Sequence, residues 1–218
     1  MDYELIKRIF TSLVILPILI YSSYYSGLYF IIFLGFIYSL SFYEIIKNTK
    51  NLLFNIVSNT ILIFALYSFY NLRGDTSFSL ITTYWVLLAT FLSDIGGFVF
   101  GRIFKGKKLT KISPNKTYSG SIGSIILSLV SLILLNVGQH FFLNDNLINF
   151  YQLKYLFLTI LISIVCQFGD LYVSFCKRKI NIKNISNILP GHGGVLDRID
   201  GLIFVLIFSF LIKKIGLI

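Results

Sequence analysis

Carboxylates are scarce in this chain. Nine of its 218 residues are acidic against 19 basic, and charged residues make up only 13%. Soluble domains carry about 25% charged residues, so a water-soluble globular domain is excluded. Two cysteines, Cys166 and Cys176, lie ten positions apart on one predicted helix. That spacing puts them about 15 Å apart, too far for a disulfide, and they read as buried apolar thiols. There are two histidines, His140 and His192, and no CxxC, HExxH or Ser-His-Asp arrangement. Neither GxxxxGK[ST] nor GxGxxG spacing occurs, which excludes a P-loop or a Rossmann phosphate site. Apart from its net charge of +10, nothing points to nucleic acid as a partner.

Hydrophobic residues dominate instead, at 56%, and the mean hydropathy is +0.82. A membrane-spanning helix needs roughly 20 apolar residues. Windows of that kind lie near 9–26, 28–46, 52–70, 79–101, 121–138, 155–176 and 201–218. The expected fold is an all-α polytopic bundle of about seven transmembrane helices. It forms a single integral-membrane domain over 1–218, with N-terminal helices at 1–78 and a second half at 79–218. Lys7 and Arg8 before the first window read as the flank of a retained helix, because further spans follow.

The cations are unevenly placed. With the N-terminus in the cytoplasm, fifteen Lys and Arg fall on one face, including six between Arg102 and Lys116 and five between Lys177 and Arg198. The other face receives Arg73 and Lys154, with Lys213 and Lys214 near the C-terminus read as snorkelling from a short last helix. The positive-inside rule then puts the two long basic loops in the cytoplasm.

Ionisable groups inside a bilayer are costly and mark a site or a pathway. Asp94, Asp170, Asp197 and Asp200 all fall within or at the mouth of apolar windows. Gln167, Asp170, Ser174 and Lys177 stand at i, i+3, i+7 and i+10, on one helix face. Gly97 and Gly101 follow Asp94 at i+3 and i+7 and allow close backbone approach. Gathered carboxylates repel unless a cation or a proton holds them, and Mg²⁺, often shared with substrate phosphates, suits such oxygen donors. The loops 102–124 and 177–194 supply cations, Ser, Thr and Gly, which can cradle phosphates through side chains and backbone N–H groups. A solvated basic loop is the alternative reading. His192 fits a ligand, a proton shuttle or a turn residue equally.

The run SFCKRKINIKNISNILPGHGGVLDRID, residues 174–200, resembles the signature of the phosphatidate cytidylyltransferase (CDP-diacylglycerol synthase) family. Ser174, Lys177, Arg178, Lys183, His192, Gly193, Gly194, Asp197, Arg198 and Asp200 match it. Upstream, Ser93, Asp94, Gly101 and Arg102, and then Ser113, Lys116 and Thr117, look like the family's second block. Four positions depart from the pattern: Asn184 replaces an Asp, Val173 a Glu, and Tyr118-Ser119 a Trp-Glu pair.

The resemblance implies an enzyme that transfers CMP from CTP to phosphatidic acid in phospholipid biosynthesis, at a polar cavity on the cytoplasmic side. It implies Asp170, Lys177, Asp197 and Asp200 as catalytic residues. It implies metal ligands at Asp170, Asp197, Asp200 and, less strictly, Asp94, holding Mg²⁺ with or without a second cation. Ser113, Lys116, Thr117, Ser174, Arg178, Lys183, His192, Gly193, Gly194 and Arg198 would bind substrate. A homodimer is a family expectation. The alternatives are a polyprenol kinase-like or archaeal-type lipid cytidylyltransferase and, further off, a transporter.

Overall fold

The computed structural model describes residues 3–110, 113, 116–143, 147–180, 182, 185, 186, 188 and 193–218, with backbone alone for 3–12 and 140–143. Seven helices follow one another: α1 (Tyr3–Tyr25), α2 (Gly27–Asn48), α3 (Leu52–Arg73), α4 (Ser77–Phe104), α5 (Tyr118–Leu143), α6 (Leu153–Lys179) and α7 (Leu196–Lys214). Each hydrophobic window corresponds to one helix. Five of them, α2 to α6, are long and apolar enough to cross a membrane. The chain is an all-α polytopic membrane protein.

Lipid tails are as apolar as leucine, so helices in a bilayer associate through close packing and polar contacts rather than water exclusion. Both devices operate here. Helices α4 and α5 meet along glycines: a Cβ on Gly120 would lie 2.8 Å from the Gly97 carbonyl oxygen and 3.4 Å from the Gly101 Cα. The expected close approach beside Asp94 is therefore present. Between α4 and α6 runs a polar ladder. Ser93 and Ser163 share a hydrogen bond of 2.8 Å, the Trp85 indole N–H donates to the Thr159 hydroxyl at 3.1 Å, and Cys166 donates to Asp94 at 3.3 Å. Helix α7 packs against α3, α4 and α6, inside the bundle.

Two cations, Arg73 buried and Lys213 half-buried, cap helix ends away from the cavity acids. The Arg73 guanidinium donates to the carbonyls of Ser23, Tyr24 and Gly74, closing the C-terminal end of α1. Lys213 donates to the carbonyls of Asn71 and Leu72 and to the Ser79 hydroxyl at 2.9–3.1 Å. Cations at the C-terminal end of a helix satisfy its orphan carbonyls and its dipole. The expectation that Lys213 snorkels is thereby corrected: its ammonium turns inward to α3.

Candidate active site

One cavity of about 800 Å³ enters the bundle at the end opposite those caps. Its polar end is lined by Asp94, Lys116, Asp170, Asp197, Arg198 and Asp200, with Ser113, Thr117, Ser121 and Gln167 beside them. Its other walls are apolar, built from Leu16 and Leu19 of α1, Phe33 and Leu34 of α2, Leu62 and Phe69 of α3, and Leu202 and Leu206 of α7. Charged head and hydrocarbon walls form a single space.

The acids come together because α6 and α7 touch at glycine. A Cβ on Gly201 would lie 2.6 Å from the Cys166 sulfur, 3.0 Å from the Cys166 carbonyl oxygen and 3.2 Å from Asp170 Oδ1. With no side chain there, Asp170 of α6 and Asp200 of α7 line the same cavity. Cations close on the pair from two sides. Lys116 Nζ lies 2.8 Å from Asp170 Oδ2, and Lys177 Nζ lies 2.9 Å from Asp197 Oδ1 and 4.0 Å from Asp200 Oδ2.

Lys116 owes its place to a narrow turn between α4 and α5. Leu109 N–H donates to the Lys116 carbonyl at 2.7 Å and Tyr118 N–H to the Lys107 carbonyl at 3.1 Å. The Thr117 hydroxyl then accepts the Gly120 N–H at 3.1 Å and caps α5.

Asp197 has a different occupation. Besides Lys177 on Oδ1, its Oδ2 accepts the N–H groups of Ile185 at 2.9 Å and Gly194 at 3.1 Å. A second carboxylate reaches the same turn from α2. Glu44, with 0% of its surface exposed, accepts Val195 N–H at 2.8 Å, Leu196 N–H at 2.9 Å and the Ser186 hydroxyl at 2.5 Å. The N-terminal amides of α7 are thus taken by protein carboxylates. A Cβ on Gly194 would lie 2.9 Å from Glu44 and 3.1 Å from Asp197, so glycine at 194 makes room for these two acids. The Gly194 amide is engaged by Asp197.

This sequence matches the Cytidylyltransferase family over residues 47–215, more than half of the chain. It belongs to that family. It is 37% identical to the phosphatidate cytidylyltransferase of Helicobacter pylori strain 26695 over 144 residues, 65% of this chain and 48% of the relative. Identity to the Staphylococcus haemolyticus phosphatidate cytidylyltransferase is 42% over 139 residues, 63% of this chain and 50% of the relative. For that of Rickettsia conorii it is 37% over 143 residues, 64% and 60%. The chain spans about half the length of the curated relatives it matches.

Within this chain, Asp94, Asp170, Asp197, Arg198, Asp200, Ser113, Lys116 and Thr117 line one cavity. Lys177 reaches it through Asp197 and Asp200. Ser174 and Arg178 do not line it; the Arg178 guanidinium is turned away and donates to the Ile182 carbonyl at 3.1 Å. Gly193 has a positive φ of 88°, a conformation that suits glycine in the turn ahead of α7. Lys183, Asn184 and His192 lie outside the described residues.

Oxygen donors are what a hard dication requires, and Mg²⁺ keeps several waters. Asp170 and Asp200 offer such a donor pair. Among the described residues no three acidic, histidine or cysteine side chains surround one point. Asp197, with both oxygens engaged, is directed to the turn.

Glu44 escaped the sequence reading, although one signal marked it. An acid inside the apolar stretch of α2, between Tyr43 and Ile45, meets the same criterion as Asp94. It precedes the stretch that matches the family, which begins at residue 47.

Proposed function

We propose that this cytidylyltransferase joins CTP to phosphatidic acid, giving CDP-diacylglycerol and pyrophosphate. The observation that carries the reading is the continuity of the cavity. One end presents Lys116, Arg198, Asp170 and Asp200, and the remaining walls are apolar. A soluble nucleotide needs only the first; a substrate with a phosphate head and acyl chains needs both. The chain's relatives in Helicobacter pylori, Staphylococcus haemolyticus and Rickettsia conorii are phosphatidate cytidylyltransferases, which supports the same acceptor.

A phosphate oxygen of phosphatidic acid attacks the α-phosphorus of CTP, a new P–O bond forms, and the bond to the β-phosphate breaks. Both reactants are anions, so positioning and charge neutralisation dominate the catalysis. Lys116 and Arg198 are the cations that line the cavity and can hold the phosphates. Lys177, bridging Asp197 and Asp200, balances the acids and keeps them oriented. Mg²⁺ held by Asp170 and Asp200 would supply Lewis-acid stabilisation of charge on the phosphates. The chamber walls keep the acyl chains in an apolar environment while the head reacts. Fifteen of the nineteen Lys and Arg fall in the stretches of sequence that the positive-inside rule assigns to the cytoplasm, and the site faces that side, where CTP is found.

A kinase-like reaction on a lipid alcohol is separable by label position. With CTP labelled at the α-phosphate, phosphatidic acid should become labelled, and γ-labelled CTP should leave the lipid unlabelled. Label from the γ-position in the lipid, or transfer to a polyprenol and not to phosphatidic acid, would overturn the assignment.

A further inference from the structure

Helix α2 carries two polar side chains one turn apart that reach the same segment. Glu44 holds Ser186, Val195 and Leu196. Asn48 donates to the Ile185 carbonyl at 2.8 Å and to the Glu44 carbonyl at 2.6 Å. From the other side Asp197 takes the Ile185 and Gly194 N–H groups. The turn before α7 is therefore pinned at both its ends, near 185–186 and at 194–196.

Helix α7 has no N-cap side chain of its own: its cap residue is Val195, which offers none. Orphan N–H groups at a helix start need acceptors, and a carboxylate there also complements the dipole. Glu44 provides both from a different helix. The turn so fixed is the one that bears Asp197, Arg198 and Asp200, all on the cavity wall.

We propose that Glu44, assisted by Asn48, is a positioning residue for the transfer reaction, holding the first turn of α7 so that Arg198 and Asp200 meet the substrate phosphates. This assignment rests on the functional reading above. Glu44 touches no part of the cavity's polar end itself and acts through Val195 and Leu196. Replacing one carboxylate oxygen by an amide NH₂ sets a donor against backbone donors, so one buried N–H loses its acceptor.

The test uses the full chain in lipid nanodiscs, comparing wild type, Glu44→Gln, Asn48→Ala and the double variant. Three readouts are taken: kcat and KM for CTP, thermal unfolding, and hydrogen exchange of peptides covering 193–197. A displacement of about 1 Å at a reacting group costs about 10²-fold in rate. Glu44→Gln is therefore expected to lower kcat on that order while KM for CTP moves less. Lys116, on the α4–α5 turn, is not attached to Glu44. Exchange at 193–197 should accelerate, and the double variant should lose less than the product of the single losses, as members of one unit do.

A purely structural role would instead lower the unfolding temperature and leave kcat of the folded fraction unchanged. That result, or unaltered exchange at 193–197, overturns the proposal. Should Glu44→Gln not fold, Asn48→Ala decides by the same readouts. If wild type turns over no CTP, the functional reading falls, while the exchange data still report whether Glu44 pins the turn.

Discussion

Gly169 of α6 and Gly201 of α7 face each other so closely that a Cβ on Gly169 would lie 3.1 Å from the Gly201 Cα. The residue that follows one and the residue that precedes the other are Asp170 and Asp200. The glycine contact thus sets the separation of the two carboxylates, and the packing of two helices becomes the geometry of a site.

Gly201→Ala puts a methyl group against the Cys166 sulfur and carbonyl. Overpacking of this kind costs about 1–3 kcal/mol, and here it also drives Asp170 and Asp200 apart. Thermal unfolding should fall and activity should fall further than stability alone explains. Gly138→Ala, with open space around its Cβ, is the control and should keep both.

Neutralising one member of the paired acids separates binding from folding. In EDTA, Asp200→Asn should unfold at a higher temperature than wild type, because like charges held close disfavour each other. Added Mg²⁺ should raise the unfolding temperature of wild type and leave that of the variant unmoved. An equal Mg²⁺ shift in both would remove Asp200 from the metal site.

Lys116 touches Asp170 from the segment between α4 and α5. Lys116→Met should leave the fold intact and reduce kcat/KM for CTP by about 10²-fold, the cost of removing one aimed charge stabiliser. Steady-state kinetics beside a circular dichroism melt checks both halves.

Lys213 works at the far end of the bundle. Lys213→Met leaves the buried carbonyls of Asn71 and Leu72 without their donor, at about 1–3 kcal/mol. Stability should drop while kcat of the folded protein is unchanged, since no cavity group is touched.

Much of this architecture was readable from local pattern. Hydropathy placed all seven helices, and the i, i+3, i+7, i+10 spacing on α6 brought out Asp170 and Lys177 because both features depend on near neighbours in sequence. Glu44 and Lys213 were harder for one reason. Their partners are backbone groups more than 130 positions away: Val195 and Leu196 for the first, Asn71 and Leu72 for the second. No periodicity records such a pairing. The backbone partners of Asp197, Ile185 and Gly194, likewise appear only in the folded turn.

The most direct measurement is formation of CDP-diacylglycerol by purified protein from CTP and phosphatidic acid, with Mg²⁺ or with EDTA, beside Asp200→Asn. The account predicts product that requires the metal and vanishes in a folded variant. Equal product from the variant, or none from folded wild-type protein, would contradict it.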